Sequence, residues 1–209
     1  MRDHRRLVDE LYLGNAIRSP QIIEAFRNID RAYFVPEPVK DEVYNDIPLP
    51  IGEEQTISQP STVAFMLELL EPQRGDKILD IGSGSGWTTA LLCDIVGEEG
   101  SVLGLERLES LAAFGKANLA KMGFGPQCRI EKAGNALGVP GETFDRILVS
   151  ASSDMVPEEL FEQLKTDGVL VIPIGEVIYR FQKHPDGQIT QEAYPGFRFV
   201  PLIYNEKPE

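Results

Sequence analysis

Apolar residues at helical spacing open the chain, so residues 3–15 read as one amphipathic helix and residues 20–29 as a second. Ser19 is placed to cap the second, and Pro20 suits its first helical position. Pro36, Pro38, Pro48 and Pro50 then interrupt the pattern, and the segment they punctuate is predicted to be a loop with little regular structure. From Pro60 the helical spacing returns, with Val63, Met66, Leu67 and Leu70 on one face. Beyond it, short apolar runs alternate with helical stretches: strand 77–82, helix 87–96, strand 101–106, helix 108–122, strand 128–132, strand 145–150, helix 157–164 and strand 168–174. That order predicts an α/β fold with a doubly wound sheet. Two last runs, 177–183 and 197–203, flank a turn at Pro185-Asp186-Gly187 and predict a C-terminal antiparallel edge pair. No linker, composition shift or repeat divides the chain, so one domain is expected over 1–209: an N-terminal helical and loop region to residue 60, then a core from 61.

Two polar stretches break this pattern where chemistry is expected. Gln55-Thr56-Ile57-Ser58-Gln59-Pro60 puts two hydroxyls and two amides at the entrance of the helix after Pro60. On local grounds Ser58 or Gln59 is a helix cap. The second stretch, Asp80-Ile81-Gly82-Ser83-Gly84-Ser85-Gly86, follows an apolar strand and precedes a helix. Its glycines tolerate positive φ and let backbone approach a ligand closely. The G-x-G-x-G spacing differs from the dinucleotide G-x-G-x-x-G, and Asp80 suits an ammonium better than a pyrophosphate. Glu106 ends the next strand; alone, Glu106-Arg107 also reads as an ordinary solvated strand end, but at this distance from the glycine turn its carboxylate can accept both hydrogen bonds of a ribose diol. Together these residues imply S-adenosylmethionine, its amino-acid end near the glycine turn and its ribose on Glu106.

Composition narrows the reading further. The formal charge of −13 weighs against nucleic acid, whose phosphates need concentrated Lys and Arg. No run is long enough to span a membrane, and Met1-Arg2-Asp3-His4-Arg5-Arg6 leads directly into a helix without a signal region, so a cytoplasmic location is expected. Cys93 and Cys128 are far apart on core-like segments and read as buried free thiols. His4 and His184 do not make a metal site by themselves, and no metal is expected. The oligomeric state has no signature.

With these residues in view the chain resembles the protein-L-isoaspartate (D-aspartate) O-methyltransferase family. The matching pieces are Phe34-Val35-Pro36, Ile51-Gly52 with Gln55 to Pro60, Asp80 to Gly86, Glu106-Arg107, Phe144-Asp145, Gln163-Leu164, Val171 to Gly175, and Arg198-Phe199-Val200-Pro201-Leu202. The glycine turn is shared by many methyltransferases, whereas Gln-Thr-Ile-Ser-Gln-Pro at this distance with the terminal Phe-Val-Pro-Leu is highly specific. The resemblance implies a Rossmann-like class I fold that uses S-adenosylmethionine to methylate isoaspartyl carboxylates in damaged proteins or peptides, the ester then closing to a succinimide. It implies Ser58 as the residue that orients the carboxylate. It also implies cofactor contacts from Thr56, Ile57, Ser58, Asp80, Gly82, Ser83, Gly84, Gly86, Glu106, Arg107, Asn135 and Ala136. Substrate contacts follow for Ser58, Ser150 and Arg198, although Arg198 also reads as an exposed strand residue.

The chain departs from the family in four places. Gly134-Asn135-Ala136 stands where the family has Gly-Asp-Gly; Gly175-Glu176-Val177 replaces a glycine-rich stretch; Ser150-Ala151-Ser152-Ser153-Asp154 replaces Thr-Ala-Ala; and Trp87 replaces Tyr or Phe. Three readings stay open on the sequence: isoaspartyl repair, a methyltransferase of the same fold acting on a dedicated peptide or small acid, and a binding module without turnover.

Overall fold

The protein is described by a computed structural model covering residues 3–204; Met1 and Arg2 of the basic lead-in lie outside the described residues. The two N-terminal helices form as α1 (His4–Leu13) and α2 (Pro20–Asn28). Asp3 caps α1 by accepting from the Arg6 amide at 2.9 Å. Ser19 occupies the cap position of α2 without capping it. Its hydroxyl instead donates to Glu68 Oε2 at 2.7 Å, while Glu68 Oε1 accepts the Arg18 and Ser19 amides.

The proline-rich segment holds more structure than its sequence predicts. Two 3-10 turns, Arg31–Phe34 and Glu37–Glu42, lead into an antiparallel hairpin of β1 (Leu49–Gly52) and β2 (Gln55–Ile57). Glu53 and Glu54 at its tip have φ of 53° and 58°, the left-handed pair that a tight hairpin demands. Glycine or asparagine is the usual signal for that turn, so this one is invisible to composition. The helix after it is α3 (Pro60–Leu70), with Gln59 at the cap position.

The core elements are β3 (Lys77–Ile81), α4 (Trp87–Val96), β4 (Ser101–Glu106), α5 (Glu109–Ala120), β5 (Cys128–Lys132), β6 (Phe144–Val149), α6 (Glu159–Glu162), β7 (Leu164–Ile174), β8 (Val177–Lys183) and β9 (Ile189–Pro195). They form a seven-stranded sheet in the order β5-β4-β3-β6-β7-β8-β9, parallel through β7 and antiparallel beyond it. Side chains alternate across it. Ile78, Val102, Leu148 and Val171 join a core under α1 to α5, while Leu79, Leu103, Ile147 and Leu170 join a second core on the opposite face.

Three expectations need correction. The edge strand pairing with β8 is 189–195, not 197–203: the turn at Pro185 to Gly187 sets a register that pairs Lys183 with Ile189. That strand carries Thr190, Gln191 and Glu192 on an exposed edge, so hydropathy does not reveal it. The helix expected at 157–164 shortens to α6 because Leu164 already pairs with Phe144 in the sheet. Finally, Cys93 of α4 and Cys128 of β5 are joined as a disulfide with Cα atoms 6.0 Å apart, not left as free thiols. Their separation of 35 residues hid a contact that helix-on-sheet packing creates. Among the described residues no helix is long and apolar enough to cross a membrane.

Candidate active site

The chain runs from β3 outward to β4 and β5, then returns to place β6 on the other side of β3. Such a reversal leaves a crevice at the carboxyl ends of the strands. Gly82 follows β3, Glu106 ends β4 and Ser150 follows β6, so three sequence-distant residues meet there. Backbone bonds fix the turn: the Gly82 and Ser83 amides donate to Leu105 O, and the Ser150 amide donates to Ile81 O.

Buried polar groups brace the glycine turn. Glu106, 7% exposed, accepts the Gly84 amide at 2.9 Å and the Leu108 amide at 2.9 Å. Its carboxylate retains further lone-pair positions for a diol. Asp80 is fully buried; its Oδ2 accepts the hydroxyls of Thr88 at 2.9 Å and Thr89 at 2.6 Å. Burial raises its pKa to about 6, opposed by the two threonine bonds, with the negative Glu106 adding to the rise. Asp80 Oδ1, Ser83 Oγ and Trp87 Nε1 are buried with no hydrogen-bond partner among the described residues. Buried polar atoms are normally satisfied, so orphans gathered around one turn mark a place where ligand polar groups fit.

Three clefts adjoin here. The first, about 870 Å³ and open to solvent, is lined by Gly82, Gly84, Glu106, Arg107, Gly134, Ala136 and the returning C-terminal residues Val200 to Tyr204. That return is held by the Ser152 amide donating to Val200 O at 2.8 Å and the Leu202 amide donating to Ser152 O at 2.7 Å. The second, about 340 Å³, lies against the glycine turn between Ile57, Ser58, Ser83, Ser85, Trp87 and Thr88. The third, about 1320 Å³, runs outward past Ser58, Pro48, Glu176, Phe197, Arg198 and Phe199. Thr56 and Ser150 line all three, and Ser58 lines the second and third. The residues present therefore fit S-adenosylmethionine with its adenosine in the first cleft and its amino-acid end in the second, and leave the third for a methyl acceptor.

Most predicted site residues converge here, but three do not line the clefts. Gly86 has φ of +89°, and a Cβ there would meet Ile130 Cδ1 at 2.9 Å and Gly115 O at 3.0 Å; it serves the packing of α4 on α5. Asp80 sits beneath the turn. Asn135 is exposed, although its neighbours Gly134 and Ala136 line the first cleft. Arg198 is exposed and bonds Glu176 Oε1 at 3.1 Å across the mouth of the third cleft. The capping reading of Ser58 gives way, since Asp46 Oδ1 accepts the Ser61 amide at 2.8 Å and Asp46 Oδ2 accepts from the Gln59 side chain. Phe144-Asp145 begins β6, and Asp145 binds Lys165 and the Lys77 amide away from the clefts. Sequence reasoning overlooked Tyr204, Thr88 and the buried Arg31, because nothing local marks which turn or helix start faces a cleft.

The family model described as protein-L-isoaspartate (D-aspartate) O-methyltransferase matches residues 2–207. A protein-L-isoaspartate O-methyltransferase of Methanopyrus kandleri is 42% identical over 210 residues, covering 98% of this chain and 93% of the relative. One from Trichlorobacter lovleyi is 42% identical over 204 residues, covering 95% and 92%. Among solved structures, a Plasmodium falciparum protein described as a protein-L-isoaspartate O-methyltransferase, in complex with S-adenosyl-L-homocysteine, superimposes with a TM-score of 0.84 at 26% identity, covering 97% of this chain and 99% of that one.

Proposed function

Because the chain belongs to the protein-L-isoaspartate (D-aspartate) O-methyltransferase family, we propose that its joined clefts move a methyl group from S-adenosylmethionine to the free carboxylate of an L-isoaspartyl residue. The observation that carries this reading is the meeting of three clefts at Thr56 and Ser150, with Ser58 between the two where donor and acceptor must touch. When bound, the donor would supply a sulfonium methyl group: an acceptor carboxylate oxygen would bond to the methyl carbon in line as its bond to sulfur breaks, leaving a methyl ester and a neutral thioether.

The acceptor carboxylate is already ionised at neutral pH, so no general base is required. What the chain must supply is alignment and a dry contact, and alignment alone is worth up to about 7–11 kcal/mol in intramolecular models. Ser58 and Ser150 donate their hydroxyls to the carboxylate and present one oxygen toward the second cleft. Ile57 gives that junction an apolar wall, and Phe197 and Phe199 wall the acceptor cleft. Glu106 holds the ribose while it keeps the Gly84 amide in place. Gly82, Ser83 and Gly84 take the amino-acid end, with Asp80 supplying negative charge from below. Arg198 draws the acidic acceptor toward an otherwise acidic protein. Isoaspartate is told from aspartate by the path its longer main chain takes past Phe197, Arg198 and Phe199.

The proposal extends to the setting: one methyltransferase domain working on proteins or peptides in the cytoplasm, and not on nucleic acid, for which a charge of −13 is unfavourable. Incubation with labelled S-adenosylmethionine, an isoaspartyl peptide and its aspartyl twin tests the activity. Label is expected in the isoaspartyl peptide alone; equal labelling of both, or of neither, sinks the reading.

A further inference from the structure

Among the described residues Arg31 is the largest fully buried side chain. It begins the first 3-10 turn, and its guanidinium reaches main-chain carbonyls from two separate segments. Nη1 donates to Val43 O at 2.8 Å and Asn45 O at 3.3 Å; Nη2 donates to Ile47 O at 3.0 Å and Ser58 O at 3.0 Å. Its flat face lies 5.3 Å from the centre of the Trp87 ring. Two of these partners line a cleft, and the other segment leads into one. The segment from Val43 to Ile47 delivers Pro48 to one wall of the acceptor cleft, Ser58 forms another part of that wall, and Trp87 lines the small cleft by the glycine turn.

Burying a guanidinium is costly, and apolar packing is often the more stabilising choice at such a position. Desolvation lowers the Arg31 pKa to about 10, opposed by the charge of Asp46, so the side chain still carries its full set of donors at neutral pH. The two terminal nitrogens of the rigid fork span carbonyls of both segments at once, while Nε is buried without a hydrogen-bond partner among the described residues. The carbonyl held in this way belongs to Ser58, which lines both the small cleft and the acceptor cleft.

We propose that Arg31 is a positioning residue for methyl transfer: it clamps the Ser58 carbonyl to the Val43 to Ile47 segment and so aims the Ser58 hydroxyl into the acceptor cleft, touching neither donor nor acceptor. This rests on the role given to Ser58 above. Arg31→Lys retains the charge but replaces the fork with a point donor that cannot hold both segments. With an isoaspartyl peptide, kcat is expected to fall roughly 30-fold, as small misplacements of reacting groups do. KM for the peptide and calorimetric affinity for S-adenosylhomocysteine should stay within about threefold, since neither ligand touches Arg31. In the Arg31→Lys, Ser58→Ala double variant the loss should not exceed that of Ser58→Ala alone. Multiplying losses in the double variant, or an unchanged kcat with a lowered melting temperature, would overturn the proposal. If Ser58→Ala itself is fully active, the Ser58 reading fails first, and the Arg31→Lys kcat shows whether Arg31 acts through another group. Arg31→Gln, neutral and able to reach fewer carbonyls, is the second variant; if neither variant folds, Arg31 belongs to the fold alone and the proposal is lost.

Discussion

The donor side and the acceptor rim of this crevice are built from opposite materials. On the donor side Asp80, Ser83, Thr89 and Glu106 are buried polar groups locked under a glycine turn, and their hydrogen bonds reach β3, β4 and α4. At the rim, Arg198 and Glu176 pair across the mouth with side chains 88% and 69% exposed, and Met155 nearby is 68% exposed. Buried polar groups are expensive to disturb because a lost partner is not replaced by water, whereas an exposed ion pair is screened and worth little. Donor binding is therefore tied to the fold, while acceptor choice can drift without loss of stability. Of the positions where the chain departs from the family pattern, Ser150 and Glu176 line the acceptor cleft, whereas Gly134, Ala136 and Trp87 line the two donor clefts, so the departures fall on both sides.

The sharpest way to break the contrast is at the point where the two sides touch. Ser58→Ala is expected to reduce turnover by roughly 10²- to 10³-fold, the usual cost of removing one pre-placed donor from a reacting oxygen. S-adenosylhomocysteine affinity should barely change by calorimetry. If binding disappears while the fold survives, Ser58 belongs to the donor side and its proposed role is wrong.

Asp80 tests the donor side by pH. Its carboxyl is raised to about 6 by burial, above the unfolded value near 4. Between those two values the folded state holds a proton that the unfolded state has released, so this group's contribution to stability falls as pH rises from about 4 to about 6. As pH rises through about 6, ionisation of the native Asp80 should strengthen binding of a cationic amino-acid end. Calorimetric titrations with S-adenosylhomocysteine at pH 5, 6 and 7 should tighten for the native protein and stay flat for Asp80→Asn. Parallel profiles for the two would place Asp80 outside the binding equilibrium.

The smallest effect belongs to the rim. Arg198→Ala should raise KM for an isoaspartyl peptide by about fivefold or less, with kcat and melting temperature unchanged, and the difference should shrink in high salt. A large loss that persists in salt would mean that Arg198 is desolvated when the acceptor binds, and the contrast between the two sides would weaken.

The legibility of the sequence follows the same division. The strand, glycine turn and helix around Asp80 to Gly86 could be read directly because turn chemistry and apolar periodicity are local properties. So could Glu106, which lies one strand further on. The β1–β2 hairpin could not, since Glu53 and Glu54 adopt left-handed backbone without the residues that usually announce it. Strand β9 was hidden because an exposed edge need not be apolar, and the Cys93–Cys128 pairing because it depends on how α4 packs beside β5. Arg31 gave no signal at all: its partners are carbonyls, which every residue has.

The amino-acid sequence by itself determined the order of the helices and of strands β3 to β8, the donor chemistry and the family, since these rest on residue types at short, regular spacing. Only the tertiary structure decided that Thr56 and Ser150, nearly a hundred residues apart, share three clefts, and that Asp46 caps α3 in place of Ser58. The physical reason is that strand order and hairpin register bring distant backbone together, and no local preference records which carbonyl a buried arginine will find.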